Sequence, residues 1–192
     1  RGALMSQMHV SHGALTHSGQ VRTNNEDAFV VEDRLFVVAD GMGGHNAGEV
    51  ASAMAVDSLK RAAANIVDEA TLATALATAN EEIHTESMVN HVRHGMGTTI
   101  AALVVAGDDS IVVAHVGDAR IYRWHEGNLS RVTKDHSYVQ ELVDEGVITL
   151  EEARIHPRRN IVTRALGIDA SVEISTATLP ASVGSRYVLC SD

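Results

Sequence analysis

The apolar residues of this chain recur at two spacings, and the changes from one spacing to the other mark out its elements. Ala28–Glu32 and Leu35–Ala39 are β-rich runs separated only by Asp33-Arg34, the arithmetic of a two-residue hairpin, so they are read as an antiparallel pair. A glycine-rich stretch follows. Ala47, Ala51, Met54, Ala55, Leu59 and Ala62 then recur at helical spacing, which predicts a helix over about 47–64. A second helix opens at Asp68 and carries Leu72, Ala75, Leu76, Ala79 and Ile83 on one face. Both helices are amphipathic and need a sheet to cover.

Alternation resumes at 98–106, 110–116, 119–124 and 128–132, with turns at Gly107-Asp108-Asp109 and His125-Glu126-Gly127, a pattern that predicts a meander of antiparallel strands. Between Asp135 and Asn160 the pattern turns helical and polar. His136–Glu145 is closed by Gly146, and Thr149-Leu150-Glu151-Glu152 is a capping box for a second short helix. Residues 137–159 are read as an inserted flap. Val172–Leu179 and Arg186–Cys190 return to strand. Hairpin-joined strands with helices in blocks imply an α+β fold with an antiparallel core. The polar stretch Val10–Asp27, with His12 and His17, has no period and reads as loop.

At 192 residues the chain is the size of one domain, read as 10–192 behind an amino-terminal tail at 1–9. Composition changes this picture in three ways. Aromatics make up 3% of the chain, so the core must be built from Val, Ile, Leu, Ala and Met. A net charge of -10 opposes an electrostatic grip on nucleic acid or anionic lipid, but suits a site that binds cations. Cys190 is the single cysteine, which excludes an internal disulfide and fits a reducing, cytoplasmic compartment. No apolar run approaches the roughly 20 residues of a membrane span, so no membrane contact is expected within the chain.

Three apolar runs end on an aspartate: FVVAD at Asp40, VAHVGD at Asp118 and YVLCSD at Asp192. A carboxylate following apolar neighbours is costly unless something binds its charge, and three of them suggest carboxylates gathered at one end of a sheet. Oxygen ligands of this kind suit Mg²⁺ or Mn²⁺ rather than Zn²⁺. Unrelated turn residues would leave the same trace, since Asp-Gly is a common turn dipeptide. Glycines at 41, 43, 44 and 48 are expected to give the backbone positive φ and close approach to a ligand, with a main-chain carbonyl as a further oxygen donor. A dinucleotide fingerprint fails here, because its third glycine would fall at Asn46. Upstream, Arg22 can grip a phosphate with two prongs or be an ordinary solubilising charge, and Glu26 and Asp27 can hold metal-bound waters. His45 is a candidate general acid. His84, His91 and His94 share a helical face on this reading, as a solvated surface rather than a metal site. Cys190 is no phosphatase nucleophile, since no arginine loop follows it.

Together, Arg22-x-x-Asn-Glu-Asp27, Val38-Ala-Asp-Gly-Met-Gly-Gly-His45, Gly95-Met-Gly-Thr-Thr99, His115-Val-Gly-Asp-Ala-Arg120, Asn160-Ile-Val-Thr-Arg-Ala-Leu-Gly167 and Leu189-Cys-Ser-Asp192 resemble, in order and over nearly the whole chain, the bacterial metal-dependent protein phosphatases of type 2C. The resemblance implies a β-sandwich flanked by helices in αββα layers. It also implies a binuclear Mn²⁺ or Mg²⁺ centre whose activated water removes phosphate from phosphoserine and phosphothreonine of proteins, the substrates of Ser/Thr kinases. By the same resemblance Asp40 bridges two metals, the Gly41 carbonyl binds one, Asp192 ligates the pair, Asp118 serves a third, weaker ion, and Arg22 clamps the phosphate. The family pattern continues past Ser191-Asp192 with helices and a Gly-x-x-Asp-Asn motif holding a further metal ligand, which this sequence does not contain. The alternative is therefore a truncated, non-catalytic relative that binds phosphoproteins or regulates a partner.

Overall fold

The computed structural model describes residues 9–20, 24–44, 46–107 and 109–191. The chain opens with the hairpin β1 (Asp27–Glu32) and β2 (Leu35–Met42), followed by α1 (Ala47–Ala62) and α2 (Glu69–Val89). Then come β3 (Gly97–Thr98), β4 (Ile100–Ala106), β5 (Ser110–Val116), β6 (Arg120–His125) and β7 (Asn128–Arg131). The short helices α3 (Tyr138–Asp144) and α4 (Leu150–Ile155) precede β8 (Ser175–Pro180) and β9 (Arg186–Cys190). Among the described residues all strand pairings are antiparallel and form two sheets, one ordered β1-β2-β4-β5-β8 with β3 also on β2, the other β7-β6-β9. This is the α+β class the hairpins imply.

Two cores hold the layers. Along β4, Ile100, Ala102, Val104 and Ala106 face α1 and α2, while Ala101, Leu103 and Val105 face the second sheet. Both faces of β4 are covered, which is why its seven residues are all apolar and all buried. The helices contribute Ala51, Ala55 and Leu59 from α1 and Leu72, Ala75, Leu76, Ala79 and Ile83 from α2, the face the 3.6-residue period marked. Asp68 caps α2 in a reciprocal bond pair with Thr71, and Thr149 and Glu152 form the expected box on α4. On the far face of the second sheet Trp124, Leu129 and Val188 are exposed. Within 137–159, α3 buries Val139 and Gln140, and α4 buries nothing. No helix among the described residues is long and apolar enough to cross a membrane.

Two local readings are corrected. The strands from 98 to 132 do not form one meander: β5 pairs with β4 and β8, and β6 pairs instead with β7 and β9. The chain changes sheets at Gly117, whose φ of 94° turns the backbone where a side chain could not follow. Nor does the second strand end at Asp40. Its pairing continues through Gly41 opposite Thr98 and Met42 opposite Gly97, because ladder hydrogen bonds need no apolar side chains.

Candidate functional site

A cavity of about 400 Å³ lies beside the β1–β2 hairpin, lined by His17, Ser18, Gly19, Gln20, Asn24, Asn25, Glu26, Asp27, Asp40 and Ser191. Its acidic floor follows from register. Asp27 stands directly opposite Asp40, so both side chains project from the same face of the sheet. Like charges directly opposite in a sheet repel, and a bound cation would offset that repulsion. Glu26 is the next residue, and the Ser191 hydroxyl donates to Oδ2 of Asp27 at 3.0 Å, which brings the end of the described chain to the same place. The donors gathered here are oxygens, the set that suits a hard divalent cation. Among the described residues, no group of three or more His, Cys, Asp or Glu is arranged to hold a metal.

The backbone under these carboxylates is tightly held. The Glu26 carbonyl accepts from the Gly41 amide at 3.0 Å and from the hydroxyl of Ser52, a fully buried residue of α1, at 2.6 Å. The Asp40 carbonyl accepts from the Thr99 amide at 2.8 Å and the Thr98 hydroxyl at 2.9 Å, and this double contact sits at the break between β3 and β4. Gly41 and Gly48 are glycines for a reason other than the one expected. Neither is at positive φ; of the four loop glycines only Gly43 is, at 151°. A Cβ on Gly41 would stand 1.9 Å from the Gly48 carbonyl oxygen, and one on Gly48 would stand 2.9 Å from Oε1 of Glu26. Strand, helix start and Glu26 carboxyl therefore close on one another with no space for a side chain.

Asp118 follows β5 on the turn at Gly117 and is absent from the cavity lining. It is joined to the Asp40 region through Thr99: a Cβ on Gly117 would meet the Thr99 side chain at 2.7 Å, and Thr99 in turn bonds the Asp40 carbonyl. Arg22, His45 and Asp192 lie outside the described residues. Their neighbours are bonded to the site or to each other. The Asn24 amide donates to Oδ1 of Asn46 at 2.9 Å, in place of the capping bond Asn46 would otherwise make to α1, and Ser191 holds Asp27.

The cavity wall at His17–Gln20 was invisible in a stretch with no period. Its local signal was the glycine: the Gly19 amide donates to Nδ1 of His17 at 2.9 Å, a tight turn with φ of 75°. His136 carries only a helix-start signal in the sequence; in the structure it precedes α3, and its backbone and ring both bond Gly117. Of the other histidines, His84 sits on α2 against the Gly167 carbonyl, whereas His91 lies in a 3₁₀ turn after α2 ends at Val89, so the three share no helical face. Cys190 is half-buried, and burial pushes its thiol pKa up, which makes it a poor nucleophile.

Residues 16–192 match the family description "Protein phosphatase 2C". The chain is 41% identical over 188 residues to the serine/threonine protein phosphatase PstP of Mycobacterium tuberculosis, covering 94% of this chain but 35% of that protein. It is 40% identical over 189 residues to the serine/threonine phosphatase stp of Listeria monocytogenes, covering 92% of this chain and 75% of that one. The chain thus spans about a third of the length of the mycobacterial relative. The crystal structure of the PstP catalytic domain in complex with two manganese ions superposes with a TM-score of 0.79 at 39% identity, over 91% of this chain and 74% of that one.

Proposed function

The chain belongs to the protein phosphatase 2C family, and on that premise we propose that it hydrolyses phosphoserine and phosphothreonine in proteins at a centre of two Mn²⁺ or Mg²⁺ ions, with a third held more weakly. The observation that carries this reading is the cross-strand pair Asp27–Asp40, set with Glu26 beside one oxygen-lined cavity. Asp40, the Gly41 carbonyl and Asp192 would hold the pair, and Asp118 would hold the third ion. The two manganese ions in the related catalytic domain support the pair. Bound there, the cations supply Lewis acidity and lower the pKa of a water molecule enough to make it a nucleophile at neutral pH.

The chain's own residues do the rest. Arg22 forks two non-bridging phosphate oxygens and orients the substrate. His45 donates a proton to the departing serine or threonine oxygen. Glu26 and Asp27 accept hydrogen bonds from water at the cavity floor, and the Ser191 hydroxyl fixes the orientation of Asp27. Thr98, Thr99 and Ser52 hold the main chain so that these groups need not reorganise as the reaction proceeds. The flap at 137–159 selects protein substrates without touching the chemistry. The partners are phosphoproteins made by Ser/Thr kinases, in a reducing cytoplasm that suits a free Cys190.

The test is phosphate release from phosphoserine and phosphothreonine peptides by the full-length protein after chelation, with and without restored Mn²⁺ or Mg²⁺. Activity should vanish on chelation and return with metal. Peptide binding without release at any metal concentration would instead identify a phosphoprotein-binding module.

A further inference from the structure

The turn that carries Asp118 is held by one side chain to which no role has been given. His136 grips Gly117 twice: its backbone amide donates to the Gly117 carbonyl at 2.9 Å, and its ring Nδ1 accepts from the Gly117 amide at 3.1 Å. Both main-chain groups of the residue before Asp118 are therefore spent on His136. The grip requires Nδ1 to be unprotonated, which puts the ring proton on Nε2, where it meets the Ser175 hydroxyl of β8 at 3.0 Å.

His136 is itself fixed from several directions. Its ring stacks on His115 of β5 with centroids 4.5 Å apart and planes 19° from parallel. Its carbonyl accepts from the Thr163 amide at 2.9 Å. Its neighbour Asp135 is clamped by Arg120 at 2.6 Å and Arg131 at 3.4 Å. Burial, with the nearby His115 ring and Arg164, holds the His136 pKa down to about 4, so the acceptor nitrogen stays available at neutral pH. From the other side Thr99 fills the space where a Cβ on Gly117 would sit, at 2.7 Å. The turn is thus pinched between the Asp40 ladder and an anchored imidazole.

We propose that His136 is a positioning residue for Asp118, setting through both backbone groups of Gly117 the aim of the turn and hence the affinity of the weaker cation site assigned to Asp118. This rests on the third-ion reading given above. It adds that the affinity of that site is governed by a residue eighteen positions further along the chain that does not touch the ion.

The test compares His136→Leu, which removes the acceptor, with His136→Asn, whose Oδ1 takes the place of Nδ1, in the full-length protein. In the metal-free protein the Gly117 amide should exchange slowly in wild type and His136→Asn and at least about 10-fold faster in His136→Leu. The Mn²⁺ concentration for half-maximal activity should rise about 10-fold in His136→Leu and much less in His136→Asn, while calorimetry shows the two tighter ions bound as before. Asp118→Ala should raise it too, and adding His136→Leu to Asp118→Ala should raise it no further. Ser175→Ala, which frees Nε2 without opening a core cavity, should shift it the same way by a smaller factor and serves if His136→Leu does not fold. An unchanged Mn²⁺ requirement in the variants, with wild type active, overturns the proposal and leaves the phosphatase reading intact. Failure of that reading would show separately, as wild-type protein with no Mn²⁺-dependent hydrolysis. In that case a Gly117 amide as protected in His136→Leu as in wild type would overturn the grip itself.

Discussion

Replacing Gly41 by alanine tests whether close packing, rather than backbone freedom, demands a glycine beside Asp40. The added Cβ would fall 1.9 Å from the Gly48 carbonyl oxygen, 2.3 Å from its carbon and 2.9 Å from the Glu26 carbonyl oxygen. Ordinary contact begins at about 3.4 Å, so β2 and the first turn of α1 must part by about 1.5 Å. All three obstacles are backbone and cannot rotate away. That displacement breaks the 3.0 Å bond from the Gly41 amide to Glu26 and loosens the 2.6 Å bond from Ser52 to the same oxygen. Two hydrogen bonds at about 1 kcal/mol each and overpacking of about 1–3 kcal/mol give a loss of about 3–5 kcal/mol. At a urea slope of about 3 kcal/mol per molar, the unfolding midpoint should fall by about 1–1.7 M. Gly44→Ala is the internal control, since nothing lies within 4 Å of its Cβ position and its φ is not in the left-handed region. Equal midpoints for the two variants would refute the packing argument, and a Gly41→Ala protein of normal stability would show that helix and strand are not in contact here.

Three further outcomes follow from named groups. Arg22→Lys keeps the charge but not the fork, so KM for a phosphopeptide should rise while kcat falls less, with Arg22→Ala more affected; an unchanged KM in both would make Arg22 a surface charge. Deleting the flap, of which α4 buries nothing, should lower kcat/KM for a phosphoprotein far more than for a small aryl phosphate, and equal losses would refute a selective role. The pKa of His136, held at about 4 against 6.5 when unfolded, makes the unfolded state bind the extra proton. Its contribution is therefore complete above pH 6.5 and is lost as pH falls toward 4; at roughly 1.4 kcal/mol per pH unit the ceiling is about 3 kcal/mol, and solvent screening of the half-buried ring brings it to about 1–2 kcal/mol. Urea midpoints of metal-free wild type should drop over that window more than those of His136→Asn, and parallel curves would refute the assignment.

The long helices and the capped starts of α2 and α4 were legible because their signals are local: a 3.6-residue apolar stripe, and an acceptor three residues before its partner. The change of sheet at Gly117 was not. β5 and β6 each read as a strand, and nothing in their patterns says which partner each will take. Asp40 was legible as an isolated carboxylate after an apolar run, whereas its place opposite Asp27 depends on the register of a hairpin whose polar end carries no alternation. Gly41 and Gly48 were recognised as special for the wrong reason, since close approach of strand and helix leaves the same residue as a left-handed turn. His17 and His136 owe their placement to contacts far along the chain or to a tight turn in an aperiodic stretch.

The central claim is that Asp40 anchors the ions that activate water for phosphate hydrolysis, and the most direct measurement is turnover of a phosphothreonine peptide and an aryl phosphate by Asp40→Asn at saturating Mn²⁺. The substitution keeps shape and removes the charge. The account predicts a fall in kcat of at least about 10²–10³-fold on both substrates, several kcal/mol of barrier, with an unfolding midpoint close to wild type. Near-wild-type turnover by a folded Asp40→Asn protein would contradict it.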